Sequence, residues 1–255
     1  MYKVIMKNIL VTGGSRGIGK EIVKTCIKEG YYVHFTYAND SLSAEKINQD
    51  INSSKLSYSK CDLNNVEDIT KLFESLKKSF RFLDGLVNNA GISGGNLSIK
   101  EFPNETIDEV LSVNVKGLLI CCKEAIPLMS IKNGARGGSI VNISSMAATI
   151  GGRPGRTLYA TSKGAVDVFT VGAAKELAPD KIRINAVRPG VIKTDMVKLE
   201  VDGDESLEAH YAKSIPFKRF GEPLEVAELV SWLLSDKSSF VSGSRLDVSG
   251  GGFIV

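Results

Sequence analysis

Cysteine and histidine are scarce in this 255-residue chain, and their spacing is uninformative for metal chemistry. Cys26, Cys61, Cys121 and Cys122 include no C-x-x-C pair, and His34 and His210 are the only histidines. Neither a zinc site nor a disulfide framework is indicated, and a reduced, cytoplasmic protein is expected. Long apolar runs are also missing: GLLICC (Gly117 to Cys122) falls far short of the roughly 18 residues a membrane span needs. Excess charge is absent too. The net charge is +3 with both signs interspersed, which leaves no basic stripe for nucleic acid. No Pro/Ser linker or solenoid repeat divides the chain, so one domain over residues 1–255 is expected. The N-terminal MYKVIMKNILVTGG lacks a long apolar targeting core and runs into a glycine-rich turn, so it reads as a first strand.

What is present is the composition of an ordinary globular protein, 43% hydrophobic and 24% charged, arranged as alternating strands and helices. KNILVTGG, YYVHFTY, KLSYSKCDL, FLDGLVNNAG, GSIVNISS, KIRINAVRPG and SGSRLDVSGG read as seven strands. Between them lie apolar stripes with helical spacing: Ile18, Ile22, Cys26 and Ile27; Ala44, Ile47 and Ile51; Val66, Ile69, Phe73 and Leu76. A long helical region runs from about Asn104 to Met129, and PLEVAELVSWLLS precedes the last strand. Such alternation implies parallel pairing, hence an α/β Rossmann fold with a doubly wound seven-stranded parallel sheet flanked by helices.

Ligands of such sheets bind beyond the carboxyl ends of the strands, and the informative residues lie there. TGGSRGIG (Thr12 to Gly19) joins the first strand to the first helix. Its glycines permit a tight turn and close backbone approach to phosphate, while the helix start offers free N–H groups. Tyr159 and Lys163 lie four positions apart, one above the other on a helix, which suits an acid–base pair or two side chains sharing a face.

The glycine turn, NNAG at Asn88 to Gly91, Asn114 in SVNVKG, Tyr159-x-x-x-Lys163 and RPG at Arg188 to Gly190 occur in the order of the short-chain dehydrogenase/reductase family. The chain resembles that family over essentially its whole length, most closely its 3-oxoacyl-carrier-protein reductase-like members. The resemblance implies a catalytic tetrad. Tyr159 transfers the proton to or from the substrate oxygen, Lys163 favours its ionised form and contacts the cofactor ribose, and Ser145 hydrogen-bonds the substrate oxygen. Asn114 bends its helix and holds a water of the proton relay, although a buried asparagine satisfying backbone is the alternative. Ser144 competes with Ser145 for the strand tip; relatives with an SS pair generally use the second.

The same resemblance implies a nicotinamide dinucleotide held by Gly13, Ser15, Arg16, Gly17, Ile18 and Gly19 in the turn, with Asn39 beside it. Asp62 and Leu63 meet the adenine, with a helix cap as the alternative role for Asp62. Asn89, Ala90 and Gly91 line the adenosine ribose side. Tyr159 and Lys163 contact the cofactor, Pro189 and Gly190 flank it, and Ile192 and Thr194 hold its carboxamide and phosphate. No metal is implied.

Charge selects the cofactor. No acid stands at Tyr37, Ala38 or Asn39, where an NAD enzyme carries one; Asp40 comes too late, and Arg16 suits a 2'-phosphate, a solvated surface charge being its alternative, so NADP (as NADPH) is expected. Residues 193–216 are long and charged and read as a substrate lid, with His210 a surface residue within it. An acyl-carrier partner needs a basic patch, for which Arg136, Arg153, Arg156 and Lys181 are candidates. A homotetramer is implied by resemblance, with Val166, Phe169, Ala173 and Leu177 a candidate packing face, although a monomer core would use the same pattern. Ser145 and Tyr159 stand 14 positions apart, one more than in fatty-acid reductases, which keeps sugar, alcohol and xenobiotic carbonyl compounds open as substrates. A non-catalytic nucleotide sensor is the reading from a different class.

Overall fold

A computed structural model describes residues 6–195, 197 and 205–252, for 205–208 and 210 the backbone alone. All seven expected strands form: β1 (Asn8–Val11), β2 (Tyr32–Tyr37), β3 (Leu56–Lys60), β4 (Gly85–Asn88), β5 (Gly138–Ile143), β6 (Ile182–Pro189) and β7 (Arg245–Val248). They make one sheet in the order β3-β2-β1-β4-β5-β6-β7, and every neighbouring pair is parallel. The order reverses between β1 and β4, so the crevice at the carboxyl ends of those two strands is the place for a ligand.

Strand side chains alternate between two cores. Leu10, Leu86, Ile140 and Ile184 face α3 (Val66–Ser79), α5 (Leu118–Met129) and α7 (Thr157–Leu177). Ile9, Val11, Val87 and Val141 face α1 (Gly17–Lys28), α2 (Ser41–Ile51) and α9 (Pro223–Leu234) on the other side. Phe35 and Phe73 have no exposed surface, and burying each such side chain is worth about 1.5–3 kcal/mol. The expected stripes need one correction: Val66, in the first turn of α3, is exposed, and Leu72 packs inward instead.

The region expected as one helix from Asn104 to Met129 is divided. An α-helix α4 (Asn104–Leu111) passes into a π-helical turn at Ser112–Gly117 and then into α5. The short α6 (Ala147–Ile150) follows β5, and α8 (Glu205–Ser214) occupies the second half of the expected lid. Lid residues 196 and 198–204, and the side chain of His210, lie outside the described residues.

Of the two roles open to the Val166, Phe169, Ala173 and Leu177 face, the chain's own core takes it rather than a symmetry mate. Val166, Ala173 and Leu177 are buried in the chain's own core, and Phe169 packs against it. What α7 presents outward is Gly172 and Val168, the latter 73% exposed.

His34 on β2 is wedged against β3, each ring nitrogen 2.9 Å from a serine hydroxyl, Ser57 or Ser59. Burial pushes the imidazole down to about 4, below its ordinary value near 6.5. The neutral ring therefore contributes stability that is full above about pH 6.5 and is lost as pH falls toward 4. Denaturant midpoints measured between those values should drop further for the parent than for His34→Gln; equal drops would show that His34 does not couple to folding.

Candidate functional site

The glycine turn is built by contacts that tolerate no side chains. Gly13 adopts φ +65°, a left-handed conformation suited to glycine, and a Cβ there would stand 2.9 Å from Ala90 Cα. At Gly14 a Cβ would meet Phe35 at 2.5 Å, and at Gly19 it would meet the Gly13 carbonyl oxygen at 2.1 Å. β4 braces this turn from beside it. Asn89 Nδ2 donates to the carbonyls of Thr12 (3.0 Å) and Gly13 (2.8 Å), and the amides of Asn89 and Ala90 both donate to Thr12 Oγ1 at 3.1 Å. Thr12 thus ties the ends of β1 and β4 together. Motif reading passed over it, although a small polar residue immediately before the glycines is a visible signal.

Helix α1 begins at this turn with no side-chain cap and no acidic residue in its first turn. Its leading N–H groups and the positive end of its dipole suit a phosphate, and the cradle fits the pyrophosphate of a dinucleotide. Thr194 comes over the same turn, its Cγ2 3.3 Å from where a Cβ on Gly17 would lie. Ser15 is buried in the turn, Ile18 is half-buried, and Arg16 projects exposed from the helix start. Ile192 pairs with Gly221 in an isolated bridge and is buried, while Pro189 O accepts from Met146 N at 2.9 Å. Gly190 packs against Ser249.

Asp40 is fully engaged elsewhere. It caps α2, accepting from Ser43 N (2.9 Å) and Ser43 Oγ (2.6 Å), and these bonds, helped by the charge of Arg16, hold its carboxyl below the usual range. Asn39 is exposed beside it. Asp62 does not cap α3, as its alternative role supposed. Asn65 does so, while the Asp62 carboxylate accepts from Asn64 N at 2.9 Å. Leu63 is buried against Gly117 of the π-turn, where a Cβ would stand 2.8 Å from both Leu63 Cβ and its carbonyl oxygen.

The second half of the site is the junction of β5 with α7. Ser144 Oγ donates to Lys163 O at 3.2 Å, and Lys163 Nζ donates back to Ile143 O at 2.8 Å, so helix and strand end are pinned together. Ser144 is thereby buried in the scaffold, and Ser145 is the half-buried residue at the tip, its Oγ accepting from Ala147 N. Lys163 is 4% exposed, and its ammonium lies 5.7 Å from the centre of the Tyr159 ring. Burial pushes this lysine down to about 8, with the charge of Asp167 pulling the other way.

Asn114 sits inside the π-turn and is 1% exposed. Its Oδ1 accepts from Ile92 N and its Nδ2 donates to Ile92 O, both at 2.8 Å, and to Ser162 Oγ at 3.0 Å. The side chain therefore stitches the segment after β4 to α7 between Tyr159 and Lys163. Ser162, which also donates to Tyr159 O at 2.7 Å, carried no sequence signal beyond its place beside Lys163. π-turns interrupt the regular α-helical pairing and occur at functional sites. Gly91 completes the cluster, because a Cβ there would stand 3.1 Å from Asn114 Oδ1 and 3.3 Å from Lys163 Nζ. A cavity of about 560 Å³ lies to the β7 side, lined by Met146, Ile192, Ile215 and Phe217 among others.

The four basic residues considered for a docking patch do not share a face. Arg136 and Lys181 precede β5 and β6 at the amino ends of the strands, Arg136 donating to both oxygens of Asp84. Arg153 and Arg156 follow α6 at the opposite, carboxyl end. There the Arg153 guanidinium stacks over the Tyr211 ring of α8 at 4.7 Å. Among the described residues no helix is long and apolar enough to cross a membrane, and no group of three or more His, Cys, Asp or Glu is placed to hold a metal.

The family described as Enoyl-(Acyl carrier protein) reductase matches residues 13–252. Over 246 residues, 95% of this chain and 98% of the relative, the sequence is 41% identical to the Uncharacterized oxidoreductase YgfF of Escherichia coli. It is 35% identical over 247 residues to the 3-oxoacyl-(acyl-carrier-protein) reductase FabG of Staphylococcus aureus, covering 96% of this chain and 97% of that one. It is 36% identical over 245 residues to a 2,5-dichloro-2,5-cyclohexadiene-1,4-diol dehydrogenase of Sphingobium indicum, covering 96% of each. With a dinucleotide-type glycine turn, an all-parallel doubly wound sheet and these relatives, the chain belongs to the short-chain dehydrogenase/reductase family of nicotinamide-dependent oxidoreductases.

Proposed function

We propose that this protein reduces a ketone to a secondary alcohol with NADPH, using Tyr159 as the proton donor. The observation that carries the reading is the pairing of Tyr159 with a buried Lys163, whose ammonium lies 5.7 Å from the centre of the phenol ring on the same helix face. A tyrosine of ordinary pKa near 10 is a poor proton carrier at neutral pH, and an adjacent buried cation stabilises its anion. Ser145 hydrogen-bonds the substrate oxygen as charge develops on it. Asn114 holds the site's geometry through Ile92 and Ser162, and a relay water held there is the part the family resemblance adds. When bound, the nicotinamide supplies the hydride; Tyr159 supplies the proton that completes the hydroxyl.

NADPH is favoured by Arg16, exposed at the mouth of the glycine turn, and by the commitment of Asp40 to capping α2, which leaves no acid free for a 2'-hydroxyl. Arg16→Gln should lower the preference for NADPH over NADH by about 10–100-fold in kcat/KM. An equal effect on both cofactors would refute a 2'-phosphate role.

The substrate is a small carbonyl compound. A 3-oxoacyl group on acyl carrier protein is the variant the FabG relatives suggest, but the separation of Arg136 and Lys181 from Arg153 and Arg156 weakens the docking patch it needs. A single catalytic domain, a lid over 193–216 and a homotetramer complete the proposal. NADPH oxidation assayed against acyl-thioester, sugar and cyclic ketones tests it: tight cofactor binding without turnover on any of them would favour a non-catalytic sensor.

A further inference from the structure

One turn beyond Lys163 on α7 stands Asp167, which has no part in the proposed proton transfer. Its carboxylate belongs to a residue 5% exposed. Oδ1 has no hydrogen-bond partner among the described residues, and Oδ2 lies 3.6 Å from Arg188 Nη1. A carboxylate held out of water needs compensating charge. Arg188, on β6, meets that need only in part. Its Nε pairs with Asp247 Oδ1 on β7 at 2.6 Å, Nη1 donates to Thr149 Oγ1 on α6 at 2.8 Å, and Nη2 reaches Arg245 O at 3.4 Å. The guanidinium is shared among β7, α6 and α7, with its shortest contact directed away from Asp167.

The other cation on the Asp167 face of the helix is Lys163. Its surroundings hold little other charge. The titratable groups nearest it on its own helix are Tyr159 and Asp167, with Lys175 and Glu176 exposed about three turns further on; β5 offers the Ile143 carbonyl, the π-turn and the segment after β4 offer neutral Asn114 and Gly91, and β6 and β7 contribute Arg188 and Asp247 beside Asp167. Arg188 and Thr149 also link this charge to α6, which starts two residues after Ser145.

We infer that Asp167 is a positioning residue for the Tyr159/Lys163 pair, a buried negative charge tethered by Arg188 that stands behind the ammonium and keeps the pair charged as proton transfer requires. The inference rests on the proposed role of that pair. Its consequence has a definite sign. A nearby negative charge resists loss of a proton from either the phenol or the ammonium, so removing it moves the first deprotonation of the coupled pair to lower pH, whichever group releases the proton.

The test titrates Tyr159 directly, by the tyrosinate absorbance difference between each protein and its Tyr159→Phe counterpart, alongside the pH profile of ketone reduction. Asp167→Asn should lower the Tyr159 midpoint and the high-pH limb of reduction together, by about 0.5–1 pH unit. Arg188→Gln, which removes the opposing charge, should move both upward, and it serves if Asp167→Asn does not fold. Asp167→Glu should restore the parent values. A folded Asp167→Asn protein with unmoved midpoint and limb overturns the inference. Full activity in Tyr159→Phe overturns the proposed mechanism instead, while the absorbance titration still reads Asp167.

Discussion

Tyr159→Phe should lower turnover by about 10²–10⁴-fold, the contribution of a positioned general acid, while leaving cofactor affinity and the melting temperature close to the parent's. The substitution removes one oxygen. Tyr159 is half-buried on α7, whose buried face includes Leu158, Val166 and Leu177. Lys163 keeps its bond to Ile143 O, so the junction of α7 with β5 survives. The measurement is steady-state NADPH oxidation with an active ketone, paired with a cofactor titration. Retention of parental turnover would remove Tyr159 from the mechanism.

Gly19→Ala is expected to have the second large effect, in the direction opposite to the usual rule. Within an ordinary helix, glycine to alanine is favourable by about 1 kcal/mol. At Gly19 the added methyl would lie 2.1 Å from the Gly13 carbonyl oxygen and 2.5 Å from Asn89 Nδ2, the two atoms joined by the 2.8 Å bond that braces the turn. Backbone on one side and a half-buried brace on the other leave little room to yield, so α1 must shift from β1 and β4. The expected result is a loss of about 1–3 kcal/mol in stability, the cost of overpacking, and cofactor binding weakened at least tenfold, since the phosphate cradle is the part displaced. Gly172→Ala is the matched control: its site on α7 has nothing within 4 Å, and it should be neutral or stabilising. If Gly19→Ala melted and bound cofactor like the parent, the turn would not be a rigid cradle.

Much of this architecture was legible in the chain because its signals are local. The seven strands stand where alternation and turn residues put them, and the stripe Ile69, Phe73, Leu76 faces the core. The glycine turn was readable because a left-handed Gly13 and the contacts of Gly14 and Gly19 demand that residue type within a few positions. Less legible was the interruption at Ser112–Gly117. Its residues, mostly middling or poor helix formers, do not by themselves specify a π-turn, which is stabilised by Asn114 bonding to Ile92, 22 positions earlier, and to Ser162, 48 positions later.

The sequence by itself determined the parallel α/β sheet, the phosphate-suited turn, and the placing of Tyr159 above Lys163 on one helical face, since these follow from spacings within a strand, a turn or a helix. Only the tertiary structure decided which serine is spent on scaffold, Ser144 by its bond to Lys163 O, and which stands at the tip. It alone divided Arg136 and Lys181 from Arg153 and Arg156, and turned Val166, Ala173 and Leu177 inward. It alone set Asp167 against Arg188, whose positions in the chain say nothing of each other. The physical reason is common to all four: each depends on the order of strands in the sheet and on which helix covers which face, and that order brings together groups whose separation along the chain carries no periodic signal.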